Sequence, residues 1–137
     1  MKNFLTNLMT TAALLCTLGG ALDAQSYQVT AKVPFEWQAN GHQFNAGNYL
    51  ISKEQSSPVI AIRDMTAGKG AFLMTGEASG KNSSPRLVFH RYGDQYFLAE
   101  VWTPGAIGRQ LRISSAEKET IASEKPRKAE TVLVAIN

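Results

Sequence analysis

The chain has 137 residues, with 14 Lys and Arg against 11 Asp and Glu, a net charge of +3, 44% hydrophobic residues and one Cys. That length fits a single domain behind a leader, large enough to bury a core without covalent staples. The basic excess is slight and forms no stripe interleaved with aromatics, which excludes a nucleic-acid binder. One cysteine excludes a disulfide framework.

Residues 1–24 read as a secretory signal peptide. Lys2 supplies the positive start. Residues 4–18 carry no charge and hold Leu5, Leu8, Met9, Leu14, Leu15 and Leu18, and Gly19-Gly20 comes next. Leu22-Asp23-Ala24 places cleavage between Ala24 and Gln25, with a cut after Ala21 as the alternative. A bilayer span needs roughly 20 mostly apolar residues, and Thr6, Asn7, Thr10, Thr11 and Thr17 dilute this run. The expectation is therefore a cleaved leader, no permanent membrane span, and a periplasmic or extracellular protein. Cys16 follows Leu15 inside the apolar run rather than a small residue at a cleavage point, so lipidation is not expected. Cleavage takes 24 of 137 residues and leaves 113, without a cysteine. Lys2 and Asp23 leave together, so the charge stays +3. Basic residues cluster only at Lys125, Arg127 and Lys128, which read as a solvated turn.

Period-2 alternation dominates residues 25–137. Over residues 28–37, Val29, Ala31, Val33, Phe35 and Trp37 share a face, which predicts a half-buried strand. Pro34 removes a ladder donor, so the strand lies at an edge or is bulged there. Asn40-Gly41 is the strongest hairpin signal, because a type I′ turn needs positive φ at both central residues. It pairs Ala39 with His42 and Trp37 with Phe44. A turn over residues 45–48 leads to a strand over 49–54, and strands over 59–65 and 71–78 flank a turn at 66–70.

Residues 86–92 and 95–103 form the second clear hairpin, through a type II′ turn at Gly93-Asp94. The register runs Tyr92–Gln95, Arg91–Tyr96, His90–Phe97, Phe89–Leu98 and Leu87–Glu100. Both faces carry apolar groups: Val88, Phe97, Ala99 and Val101 compete with Leu87, Phe89, Leu98 and Trp102 for the core. Pro104-Gly105 breaks the chain before a short strand over 110–113. Ser114 and Glu117 have capping-box spacing ahead of a helix that runs to about Ser123 and stops by Pro126. Residues 131–136 close as a strand. The fold class is all-β, mainly antiparallel, a small sandwich or barrel of eight or nine strands with one short helix near the C-terminus. Residues 25–137 form one domain.

Several stretches together resemble a group of small exported proteins of acidobacterial type: residues 33–37 (VPFEW), 46–49 (AGNY), 88–98 (VFHRYGDQYFL), Trp102 and 115–119 (SAEKE). The resemblance spans most of residues 33–123. It implies export and one small β-rich domain. No activity is attached to the group, so no catalytic residue is carried over.

The residues themselves offer little chemistry. His42 beside the Asn40-Gly41 turn lacks the converging ligands a metal site needs. His90, with Asp94 in the adjacent turn, has the makings of an oriented base, but no nucleophile elbow accompanies it. The competing reading is a cross-strand His90 packed on Phe97. Glu36 and Glu100 form no more than the chance pair that any chain with this many acids contains. Gly68-Lys69-Gly70 lacks the phosphate-loop pattern, and Asn82-Ser83-Ser84 is a sequon that a bacterial-type chain would rarely use. Exposed aromatics can grip ligands, which leaves His90, Tyr92, Asp94 and Trp102 as a candidate ligand surface. No catalytic, metal or cofactor residues are assigned. The expected function is a non-enzymatic binding or envelope-associated module whose partner is an envelope component, a protein or a small ligand. The alternative is a small secreted hydrolase using His90 with Asp94 or Glu100.

Overall fold

Pro34 divides the first predicted strand in two. In the computed structural model, which describes residues 26–54, 57–80, 84–123 and 129–137, β1 (Ser26–Val33) ends immediately before it. The chain re-enters the sheet as β2 (Trp37–Ala39), turns, and returns as β3 (His42–Phe44). This break raises the strand count from the expected eight or nine to ten. The leader with its Ala24–Gln25 cut, Cys16, Asn82-Ser83, Pro126 and the Lys125, Arg127 and Lys128 cluster lie outside the described residues.

The Asn40-Gly41 turn has φ of 47° and 79°, as type I′ requires. Ala39 faces His42 and Trp37 faces Phe44. A meander comes next: β4 (Gly47–Glu54), β5 (Val59–Asp64) and β6 (Gly70–Glu77). At the β5–β6 turn, the Asp64 carboxylate accepts from the N–H groups of Thr66 (2.8 Å) and Ala67 (3.1 Å). This local capture is what Asp offers a turn. Then come β7 (Arg86–Tyr92), β8 (Gln95–Trp102), β9 (Arg109–Leu111), the helix α1 (Ser115–Ser123) and β10 (Glu130–Ala135). Gly93 takes φ 60° in the β7–β8 turn.

All ten strands belong to one mainly antiparallel sheet, folded over into a sandwich. Its path is β1-β4-β5-β6-β9-β8-β2-β3, with β7 on the other edge of β8 and β10 beyond β7. The β2–β8 pairing is parallel and rests on Gln38 opposite Phe97. Of the two expected architectures, the barrel is not formed. A barrel needs a continuous ladder around the ring. Here, among the described residues, the ladder between β1 and the end of the chain is reduced to the Ala31–Ile136 bridge and two backbone bonds between Thr30 and Asn137.

The core lies between the layers. Val29, Ala31 and Val33 of β1 point into it as the alternation predicts, as do Tyr49, Ile51, Ile60, Ile62, Ala71 and Leu73 from the meander. An aromatic cluster fills one end. Trp37 stacks on Phe44 at 4.2 Å, and Phe89 meets both Trp37 and Phe35 edge-on.

The β7–β8 hairpin keeps the expected register from its turn as far as Phe89–Leu98, then shifts. Leu87 pairs with Val101, not Glu100, and Glu100 lies opposite Val88. Ala99 is the extra residue of a β-bulge. The shift keeps Glu100 out of the core and puts Val101 in. Leu87, Phe89, Leu98 and Val101 therefore form the inner face, and Val88 and Trp102 pack in a separate outer cluster with Ala78.

Candidate functional site

His90, Tyr92, Asp94 and Trp102 do not form one surface. The hairpin and the elements that cover it send them to three places.

His90 and Tyr92 lie beneath α1. The Glu117 N–H donates to Ser114 Oγ at 3.2 Å, which is the expected half of a capping box. The Glu117 carboxylate turns toward the sheet. Its Oε1 accepts from the Tyr92 hydroxyl at 3.0 Å and lies 3.2 Å from His90 Nδ1. Glu117 is 5% exposed, so these bonds offset the cost of burying a carboxylate. Burial first, then the hydrogen bond and charge of Glu117, push the Tyr92 hydroxyl up to about 12 from 10.0. Nearby, the Thr120 hydroxyl lies 3.0 Å from both Gln95 Oε1 and the Ala116 carbonyl, with one proton to donate between them. Tyr92 also meets Phe97 edge-on at 5.9 Å. The partner of His90 is thus Glu117, twenty-seven residues on, while Asp94 and Glu100 form no bond to it among the described residues.

Trp102 is buried at the other end of the same outer face. Its indole N–H donates to Glu100 Oε2 at 2.7 Å, and the Arg86 guanidinium sits 5.3 Å from the ring centre. Gly108 lies so close that a Cβ there would come within 2.6 Å of the indole. Trp102 is therefore enclosed, in part by backbone six residues on, and presents no platform.

Asp94 borders a concavity. A groove of about 250 Å³ runs between the β2–β3 hairpin and the β7–β8 turn. Glu36, Gln38, Gln43, Asn45, Asp94 and Gln95 line it beside Tyr96, while Trp37 and Phe44, which also border it, turn their rings to the core face of the hairpin. The parallel contact of Gln38 with Phe97 brings the two hairpins together. Tyr96 is fixed by stacking on Phe35 at 3.8 Å, with the Arg91 guanidinium 5.4 Å from its ring centre. The Tyr49 hydroxyl donates to the Asn45 carbonyl, which holds the turn that carries Asn45. Burial, and then Asp64, raise that hydroxyl's pKa. Among the described residues, the side chains of Glu36, Gln38, Gln43, Asn45 and Asp94 hydrogen-bond to no other side chain or backbone group. No group of three or more His, Cys, Asp or Glu converges among the described residues.

A second feature faces away from the core on the β1-β4-β5-β6 half. Phe72 is 78% exposed and Met74 64%. The registers align Gln28, Ser52, Ala61 and Phe72 across four strands, so small residues leave a trough beside the Phe72 ring.

No family model, curated protein or solved structure matches the chain. Among the described residues, no helix is long and apolar enough to cross a membrane.

Of the groove, Asp94 was the one residue the sequence put in the candidate ligand surface, and Glu36 entered only as half of a chance pair of acids. Glu36, Gln38, Gln43 and Asn45 sit on the polar side of alternating segments, where they look like ordinary solvent-facing residues. The β2–β3 hairpin gathers them, and the β2–β8 pairing brings Asp94 and Gln95 up to them. The Glu117–Tyr92–His90 cluster was also missed, although a glutamate at the third helical position with no competing partner was a usable signal.

Proposed function

We propose that the protein is an exported, non-enzymatic binding module that works in the periplasm or outside the cell, and that it binds a small ligand or an envelope component in the polar groove. One observation carries the reading. Polar side chains from three separate segments, 36–38, 43–45 and 94–95, meet in one concavity, and those of Glu36, Gln38, Gln43, Asn45 and Asp94 make no hydrogen bond to another side chain or backbone group among the described residues. Such groups are satisfied by water until a ligand replaces it. Sites of this kind are concave and pre-formed, with a few convergent polar groups. The leader-like pattern of residues 1–24 and the resemblance to small exported proteins support the location. The pairing of His90 with Glu117, and of Glu100 with Trp102, leaves the hydrolase reading without its base–acid pair.

The test is a thermal-shift screen of small polar compounds against the purified protein. A ligand at a hundredfold excess over its Kd stabilises by ~2.7 kcal/mol. Glu36→Ala with Gln43→Ala should abolish that shift and keep the melting point of the unliganded protein, since both side chains are exposed. A shift that survives in this variant would remove the groove from the reading. Intact-mass measurement of the exported protein should give a chain starting at Gln25, and a mass retaining residues 1–24 would overturn the export assignment.

A further inference from the structure

We infer that the ligand of the polar groove is a neutral saccharide, one sugar unit of a longer glycan occupying the concavity; this rests on the binding reading above and adds the ligand's chemical class. The lining decides the class by elimination and by fit. No Lys or Arg lines the groove, so it offers no counter-charge to a phosphate, sulfate or carboxylate ligand. Its exposed lining is mostly polar, which rules against an acyl chain or an aromatic ligand as the main occupant.

The remaining choice is between a cation and a hydroxyl-rich neutral molecule. Glu36 and Asp94 only accept when ionised, and a cation uses carboxylate and amide oxygens but leaves every amide N–H donor without a role. Gln38, Gln43, Asn45 and Gln95 outnumber them, and each amide brings two donors beside its acceptor. A set rich in both donors and acceptors suits a ligand whose groups do both. Adjacent sugar hydroxyls do so in pairs, at a spacing that a planar amide or carboxylate can bridge. Tyr96, the part-exposed aromatic residue of the lining, gives one side of the groove an apolar boundary. The volume of about 250 Å³ lies below the roughly 300–1,000 Å³ of pockets for drug-sized ligands. That fits a single sugar ring. The groove is open to solvent along the β3 side, where Gln43 and Asn45 are exposed, so a chain can continue past it.

The experiment is a two-dimensional ¹⁵N–¹H titration of the purified protein with cellotetraose, chitotetraose and maltotetraose, and with spermidine as a cationic comparison. At least one tetrasaccharide should move the backbone amides of residues 36–45 and 94–96. Gln43→Ala and Asn45→Ala should each weaken that binding about two- to tenfold, the range for losing one net hydrogen bond. Phe72→Ala, on the opposite face, should leave it unchanged. If no tetrasaccharide moves these amides while spermidine does, the saccharide assignment fails and the groove remains a binding site. If nothing moves them, both readings fall. Tetrasaccharide binding that is unaltered in Gln43→Ala and Asn45→Ala would also overturn the assignment.

Discussion

The two halves of the sandwich solve the burial problem differently. In the half formed by β1, β4, β5 and β6, each strand alternates, and one face packs on the core while the other meets solvent. In the half built on β7 and β8, both faces are covered. The core takes Leu87, Phe89, Leu98 and Val101, while α1 and the Trp102 cluster cover the reverse side. A one-sided sheet carries a simple code, because each residue's neighbours predict its face. A two-sided sheet does not, and its outer contacts come from segments distant in sequence.

This contrast should appear first in side-chain truncations. Phe89 is fully buried between the rings of Phe35 and Trp37. Phe89→Ala should cost about 3–5 kcal/mol in urea unfolding. Phe72→Ala, on the solvent side of the other half, should stay within about 0.5 kcal/mol. Equal losses would mean that the Phe72 face is covered in solution.

The next effect probes the outer cover. Glu117→Ala removes the acceptor of the buried Tyr92 hydroxyl and should cost about 1–3 kcal/mol. Glu119→Ala, exposed on the same helix, serves as the control. If both variants melt together with wild type, α1 contributes nothing to the two-sided half.

Tyr92 also gives this half a signature in pH. The folded protein holds the Tyr92 proton up to about 12, whereas the unfolded chain releases it near 10.0. Between those values the unfolded state binds fewer protons, so stability falls as pH rises, by on the order of 2 kcal/mol across the window. The contribution is fully present below pH 10. Denaturant midpoints measured from pH 9 to 12 should show it, and Tyr92→Phe should reduce the slope. An unchanged slope in that variant would assign the loss to other groups.

The smallest effect belongs to the one-sided half. Asp64→Ala frees the N–H groups of Thr66 and Ala67 in the β5–β6 turn. Those groups lie near solvent, so the expected cost is about 1 kcal/mol, read from the same unfolding curves. A cost above that of Glu117→Ala would reverse the ranking of the two halves.

Legibility in the sequence obeyed the same division. The Asn40-Gly41 hairpin, the inward face of β1, the meander and α1 were readable because each depends on local turn chemistry or on strict alternation. Two features were not. The position of Glu100 depends on the Ala99 bulge, and nothing local distinguishes Ala99 from a regular strand residue. The groove depends on a parallel contact between β2 and β8, some sixty residues apart in the chain, with a polar lining that reads as surface. Asp94 was identified without its companions for that reason, and His90 was matched with nearer acids because Glu117 lies one loop and one strand further on.

The bulge at Ala99 has a consequence in counting. A strand is an odd–even device, in which every residue inserted before a position sends it to the opposite side. Ala99 takes up one count without using a pairing place. A chain that lost it would keep Leu98 and Val101 inward and Glu100 and Trp102 outward, now in an unbroken ladder. A chain that gained a second residue there, or that paired Ala99 regularly, would turn Glu100 into the apolar interior and Val101 out of it. Length variation at this point is therefore asymmetric: the fold has one residue to spare in β8 and no room for another.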